Sequence, residues 1–132
     1  MFFKLVIILA GIVLIVSTLF TAYYGRRCAK HRREGFLDDL GNHEKHAKLL
    51  FWVTCSAIVL IELMVRFHGG LHLNPIFPAH LLFAIPFFAS LVAMRFWATG
   101  LKDPRFHRLL ALICLANFLG TITTGAILLY GC

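Results

Sequence analysis

Charge is what this sequence has least of. Charged residues make up 14% of the 132, and only 6 are acidic. That is about half the charged share of an ordinary soluble domain. Hydrophobic residues make up 60% and the mean hydropathy is +0.83. A chain this short has too much surface for its volume to hide that much apolar side chain in water. A soluble monomer and a disordered tail are both excluded. Cysteine is scarce too. Cys28, Cys55, Cys114 and Cys132 form no CxxC pair and no zinc spacing, which argues against a disulfide scaffold. The chain has no phosphate loop, no GxSxG, no HExxH and no low-complexity tract. No nucleophile–base pair is evident, and the paired carboxylates Asp38 and Asp39 fall in a polar segment, so no independent enzyme is expected.

What is present is long apolar runs. A membrane-crossing helix needs about 20 mostly apolar residues. Four stretches qualify, at about 2–24, 49–67, 76–97 and 109–130. The expected fold class is therefore an all-α integral membrane protein, an up-down four-helix transmembrane bundle, with residues 1–132 as one transmembrane domain. Barrel strands would be half as long and would alternate. The first run lacks a small-residue cleavage site after it and is read as a retained helix.

Net charge is +7. In a soluble chain that would suggest nucleic acid. Here the basic residues fall where cytoplasmic loops of membrane proteins carry them. The segment 25–48 holds Arg26, Arg27, Lys30, Arg32, Arg33, Lys45 and Lys48, and the segment 95–108 holds Arg95, Lys102, Arg105 and Arg108. Only Lys4 and Arg66 lie toward the other side. This bias predicts both termini outside and a multi-pass protein of a bacterial inner membrane, with lipid as its first partner and no nucleic acid. In the basic segment, Phe36, Leu37 and Leu40 are spaced as a short helix lying on the inner surface. Gly69-Gly70 and Asn74-Pro75 break the outer loop, and Pro86 predicts a kink in the third span.

Function has to come from polar residues inside the spans, which are costly in lipid and face the protein interior. In the fourth span His107, Cys114 and Thr121 are spaced by seven, with Asn117 and Thr124 on the neighbouring row. They read as one seam, flanked by Gly120 and Gly125, which permit close helix approach. In the second span Cys55 and Glu62 are seven apart, and Glu62 and Arg66 can pair at i,i+4. Each of these also fits plain helix packing.

Seven histidines carry the sharper question. His31 and His43 fall in the basic segment and read as solvated. His46 and His107 begin the second and fourth spans, and diagonal helices could bring them to a haem iron. Counted as a regular helix, however, His46 points about 180° from Cys55. His80 stands about 22 Å above Arg95, Glu62 about 24 Å above His46 and Thr121 about 21 Å above His107 along their helices. These three share one depth, with Arg66, His68 and His72 close above. The metal candidates are thus His80, His107, His46, His68 and His72, with Glu62, Arg66, Thr121, Thr124 and Asn117 in support. Imidazoles suit copper, zinc or haem iron. A hydrogen-bonded polar cluster with no metal is the alternative.

From His46 onward the chain resembles the YozB/CtaM-type family of four-helix bacterial membrane proteins. The resemblance rests on Glu44-Lys45-His46-Ala47-Lys48, on the His80 span followed by a basic loop and His107-Arg108, and on Thr121-Ile122-Thr123-Thr124-Gly125. It covers roughly two thirds of the chain. Members are linked to maturation of haem-copper terminal oxidases. The resemblance implies roles for His46, His80 and His107, with Arg66 a looser match. His68, His72 and the long basic segment depart from the pattern. The leading expectation is an accessory protein or subunit of a respiratory haem-copper oxidase, handling copper or haem and bound to other membrane subunits. A di-histidine haem electron-transfer cytochrome and a purely structural subunit are the alternatives.

Overall fold

The computed structural model describes residues 2–30, 36–68, 74–97 and 103–130. Among these there are four helices: α1 (Phe2–Lys30), α2 (Phe36–His68), α3 (Ile76–Phe96) and α4 (Pro104–Tyr130). Each is long and apolar enough to cross a membrane, over Lys4–Lys30, Leu40–Leu63, Ile76–Phe96 and Pro104–Tyr130. The all-α membrane-spanning class is therefore as the sequence predicts. The chain falls into two compact units, residues 1–61 and 62–132, with the division inside α2.

In the first unit, α1 and α2 pair as an antiparallel hairpin. Their helices are 29 and 33 residues long. At 1.5 Å per residue that is about 43 and 50 Å, well beyond a hydrocarbon core of about 30 Å. This corrects the expectation of a separate surface helix around Phe36–Leu40. That stretch is the start of α2, and no proline between Phe36 and His68 interrupts it. Lys48 and Glu44 reinforce the exposed side with a 3.0 Å ion pair at i,i+4. At the far end of α1, Arg27 and Lys30 stand by the last carbonyls, where the helix dipole favours cations. The buried contact is made by small or compact residues: Ser17 and Thr18 on α1, and Leu50, Thr54 and Ala57 on α2. Thr18 donates to the Leu14 carbonyl and Thr54 to the Leu50 carbonyl, both at 2.8 Å. The hydroxyls are thus satisfied within their own helices, and the backbones can approach closely.

In the second unit, α3 and α4 form another antiparallel hairpin. Asn74 starts α3, its Oδ1 accepting from the Ile76 N–H at 3.0 Å. Asp103 caps α4, accepting from the Phe106 N–H at 3.1 Å, with Pro104 in the first helical position, where its missing N–H costs nothing. The core pairs Phe87, Ser90 and Leu91 of α3 with Cys114, Phe118 and Leu128 of α4. The Phe87 and Phe118 rings lie 5.3 Å apart at 45°. Gly120 lies under the Phe83 ring, so closely that an added Cβ would meet it at 2.4 Å. Helix α3 continues through Pro86. The proline removes one donor from the ladder, and the helix absorbs it without ending.

Candidate functional site

The polar residue best held in the second unit is His80. It sits in the first turn and a half of α3, half-buried against α4. Its Nδ1 lies 2.9 Å from Thr124 Oγ1. The Thr124 hydroxyl is also 2.7 Å from the Gly120 carbonyl, four residues back. A carbonyl oxygen can only accept, so the single hydroxyl proton points at Gly120. The Thr124 oxygen is then an acceptor, and Nδ1 must carry the hydrogen it donates. Any other arrangement sets two lone pairs against each other. In a neutral ring this leaves the remaining lone pair on Nε2. The Thr121 backbone carbonyl is a further acceptor beside the ring. Gly125 completes the seat, since a Cβ there would stand 3.4 Å from Cε1.

The fourth-span seam is therefore present in part. Cys114, Thr121, Thr124 and Gly125 lie toward α3. Asn117 is half-buried, and its amide donates to the Ile113 carbonyl one turn back at 2.8 Å. Cys114 is buried, with its thiol 4.0 Å from the Phe87 carbonyl. His107 is half-buried in the first turn of α4, and its backbone N–H donates to the Asp103 carbonyl at 3.0 Å.

The second span needs a correction. Cys55 is half-buried and Glu62 is exposed, so their row is not the buried one. The packed face runs through Leu50, Thr54 and Ala57. His46 lies on that face, about 20° from Ala57 by the helical turn. Its ring stacks on Phe20 at 5.3 Å and on Tyr24 at 4.9 Å. His43 is also packed, contrary to the expectation that it is solvated, with Nδ1 3.0 Å from the Thr21 carbonyl. His46 belongs to the first unit and His107 to the second. The side chains of Arg66 and His68 lie outside the described residues, as do His31 and His72 entirely. Among the described residues, no three His, Cys, Asp or Glu side chains gather closely enough to hold a metal ion. The groove between α1 and α2, about 290 Å³ and lined by Ala10, Val13, Trp52, Val53, Ser56, Ala57 and Leu60, is almost wholly apolar.

No protein-family model, no curated protein and no solved structure matches the chain.

Proposed function

We propose that this chain is a small accessory membrane protein of a respiratory haem-copper oxidase, and that it handles copper or haem through His80. One observation carries the reading: Thr124 accepts from Nδ1, which leaves Nε2 as the ligand nitrogen of a neutral imidazole. Metal-bound histidines have their second nitrogen tied in this way. The resemblance supports it from a separate direction. His80 and Thr124, which belong to two of its three motifs and lie 44 residues apart in sequence, meet in one hydrogen bond. The donor set fits either group, because haem asks the protein for one axial imidazole and copper accepts imidazole among its ligands. The bound group would supply the coordination or redox chemistry. The chain's part is to hold Nε2 at a fixed place beside α4. With eleven of the thirteen Lys and Arg in the two basic segments, the orientation that follows is N-out and C-out, in a bacterial inner membrane.

The test is His80→Ala at matched membrane abundance. Loss of oxidase activity, and of its haem or copper content, is expected, while His31→Ala keeps both. Full oxidase maturation in the His80→Ala strain would overturn the reading.

A further inference from the structure

At the end of the α3–α4 hairpin away from His80, Arg95 and Arg108 are both exposed. The register of the hairpin brings them to one depth. His80 meets Thr124, and Phe83 covers Gly120. Carried about three turns further along the antiparallel pair, that register sets Arg95 level with Arg108 and Leu109. The helical turn also places them on one flank. Arg95 stands about 80° round α3 from the buried Phe87, and Arg108 about 120° round α4 from the buried Cys114, in the same rotational sense along each chain. In an antiparallel pair, equal senses fall on the same side. Packed helix axes lie about 8–10 Å apart, so two arginine side chains can close on one anion between them.

The charge there has no internal match. From residue 63 to the last, the sequence holds one acid, Asp103. Its Oδ1 is taken up in capping α4, where it accepts from the Phe106 N–H. Two guanidiniums brought to one flank repel each other unless an anion lies between them. Depth says which anion. Helix α3 is 21 residues long, about 31 Å, which matches a hydrocarbon core of about 30 Å. Arg95 is its last residue but one, so it stands at the edge of the core, where lipid phosphates begin. Exposed Trp97 and Phe106 mark the same end as an interfacial layer. Arginine's planar fork fits phosphate oxygens two at a time.

We propose that Arg95 and Arg108 form a clamp for the phosphodiester of an anionic phospholipid, seated on one flank of the α3–α4 hairpin. The clamp uses neither His80 nor Thr124 and holds in either orientation of the chain, so it stands or falls separately from the oxidase reading.

The experiment titrates the full chain in detergent with phosphatidylglycerol and follows the one-lipid adduct by native mass spectrometry. Phosphatidylcholine should bind more weakly. Arg95→Gln and Arg108→Gln should each weaken the first phosphatidylglycerol about fivefold, the worth of one cation at a lipid surface. Arg105→Gln removes the same charge at the same end. It lies about 60° further round α4 and one turn outward, and should change the affinity less than about twofold. Arg95→Lys and Arg108→Lys keep the charge and lose the fork, and should still weaken binding; these variants also decide the matter if the Gln variants fail to insert. Equal weakening by all three Gln variants would mean a diffuse field and would overturn the clamp, as would full affinity in the Lys variants. Equal binding of phosphatidylcholine, or displacement of the lipid by millimolar inorganic phosphate, would overturn the assignment to an anionic lipid.

Discussion

Thr124→Val removes one oxygen and keeps the shape. In the native hairpin that oxygen accepts from His80 Nδ1 at 2.9 Å and donates to the Gly120 carbonyl at 2.7 Å. The second bond is cheap to lose, because the Gly120 carbonyl keeps its helical partner and valine packs as threonine does. The first is not. It strands a donor in a half-buried contact, where the loss falls toward the low end of the about 1–3 kcal/mol of a fully buried group. Interhelical hydrogen bonds measured in membrane proteins are weaker, averaging about 0.6 kcal/mol and reaching about 1.7. The Thr121 carbonyl remains beside the ring and softens the loss. Together these place the cost near 1 kcal/mol.

Two measurements read it. Unfolding in detergent gives the stability change, and a double-mutant cycle with His80→Ala isolates the pair. Thr124→Val should cost about 1 kcal/mol in the parent protein and close to nothing in the His80→Ala background, and the difference is the coupling. Nitrogen chemical shifts of His80 give the tautomer. The parent protein should show a protonated Nδ1 and a lone-pair Nε2, Thr124→Val should blur that assignment, and Thr124→Ser should restore it. A lone pair on Nδ1 in the parent protein would refute the whole chain of reasoning, whatever the stability data show. So would a coupling energy of zero.

Gly120→Ala should destabilise the α3–α4 hairpin by about 1–3 kcal/mol, because the new methyl meets the Phe83 ring and overpacks the contact. Gly11→Ala, where nothing lies within 4 Å, should instead stabilise by about 0.5–1 kcal/mol through helix propensity alone. Thermal unfolding of the two variants side by side gives opposite signs if the packing is right. Glu44→Gln breaks the exposed 3.0 Å pair with Lys48 and should change stability by less than about 0.5 kcal/mol at ordinary salt. A membrane-impermeant thiol reagent applied to intact cells should label Cys132 and leave Cys28 untouched. Labelling of Cys28 would reverse the orientation.

The third span is the element most legible in the sequence. Its expected bounds, 76–97, differ from Ile76–Phe96 by one residue. Asn74-Pro75 at one end and the basic loop at the other are signals that do not depend on environment. The fourth-span seam was legible for a related reason. Threonines and glycines are uncommon enough in an apolar run that their spacing shows a face, and Thr124 does meet His80. The His80 tautomer was not legible, since it follows from two distances on one hydroxyl.

The second span shows why phase is harder to read than position. In water, apolar residues mark the buried face. In lipid, both faces are apolar, so the hydrophobic pattern loses its phase and only polar residues appear to mark the interior. Cys55 and Glu62 suggest one row, and the packed row is another, through Leu50, Thr54 and Ala57. His46 does stand opposite Cys55 on the helix, and it packs against α1 because Cys55 is not on the packed row. Two residues held the correct phase. Gly25 is where α1 leaves space for a ring, and Thr54 bonds back to Leu50 so that it can be buried. Small residues that permit contact mark a buried face in lipid better than polar residues that appear to demand one. By that criterion His43 and His46 belong to the packed interior of the α1–α2 hairpin, where both Nδ1 atoms are held by carbonyls.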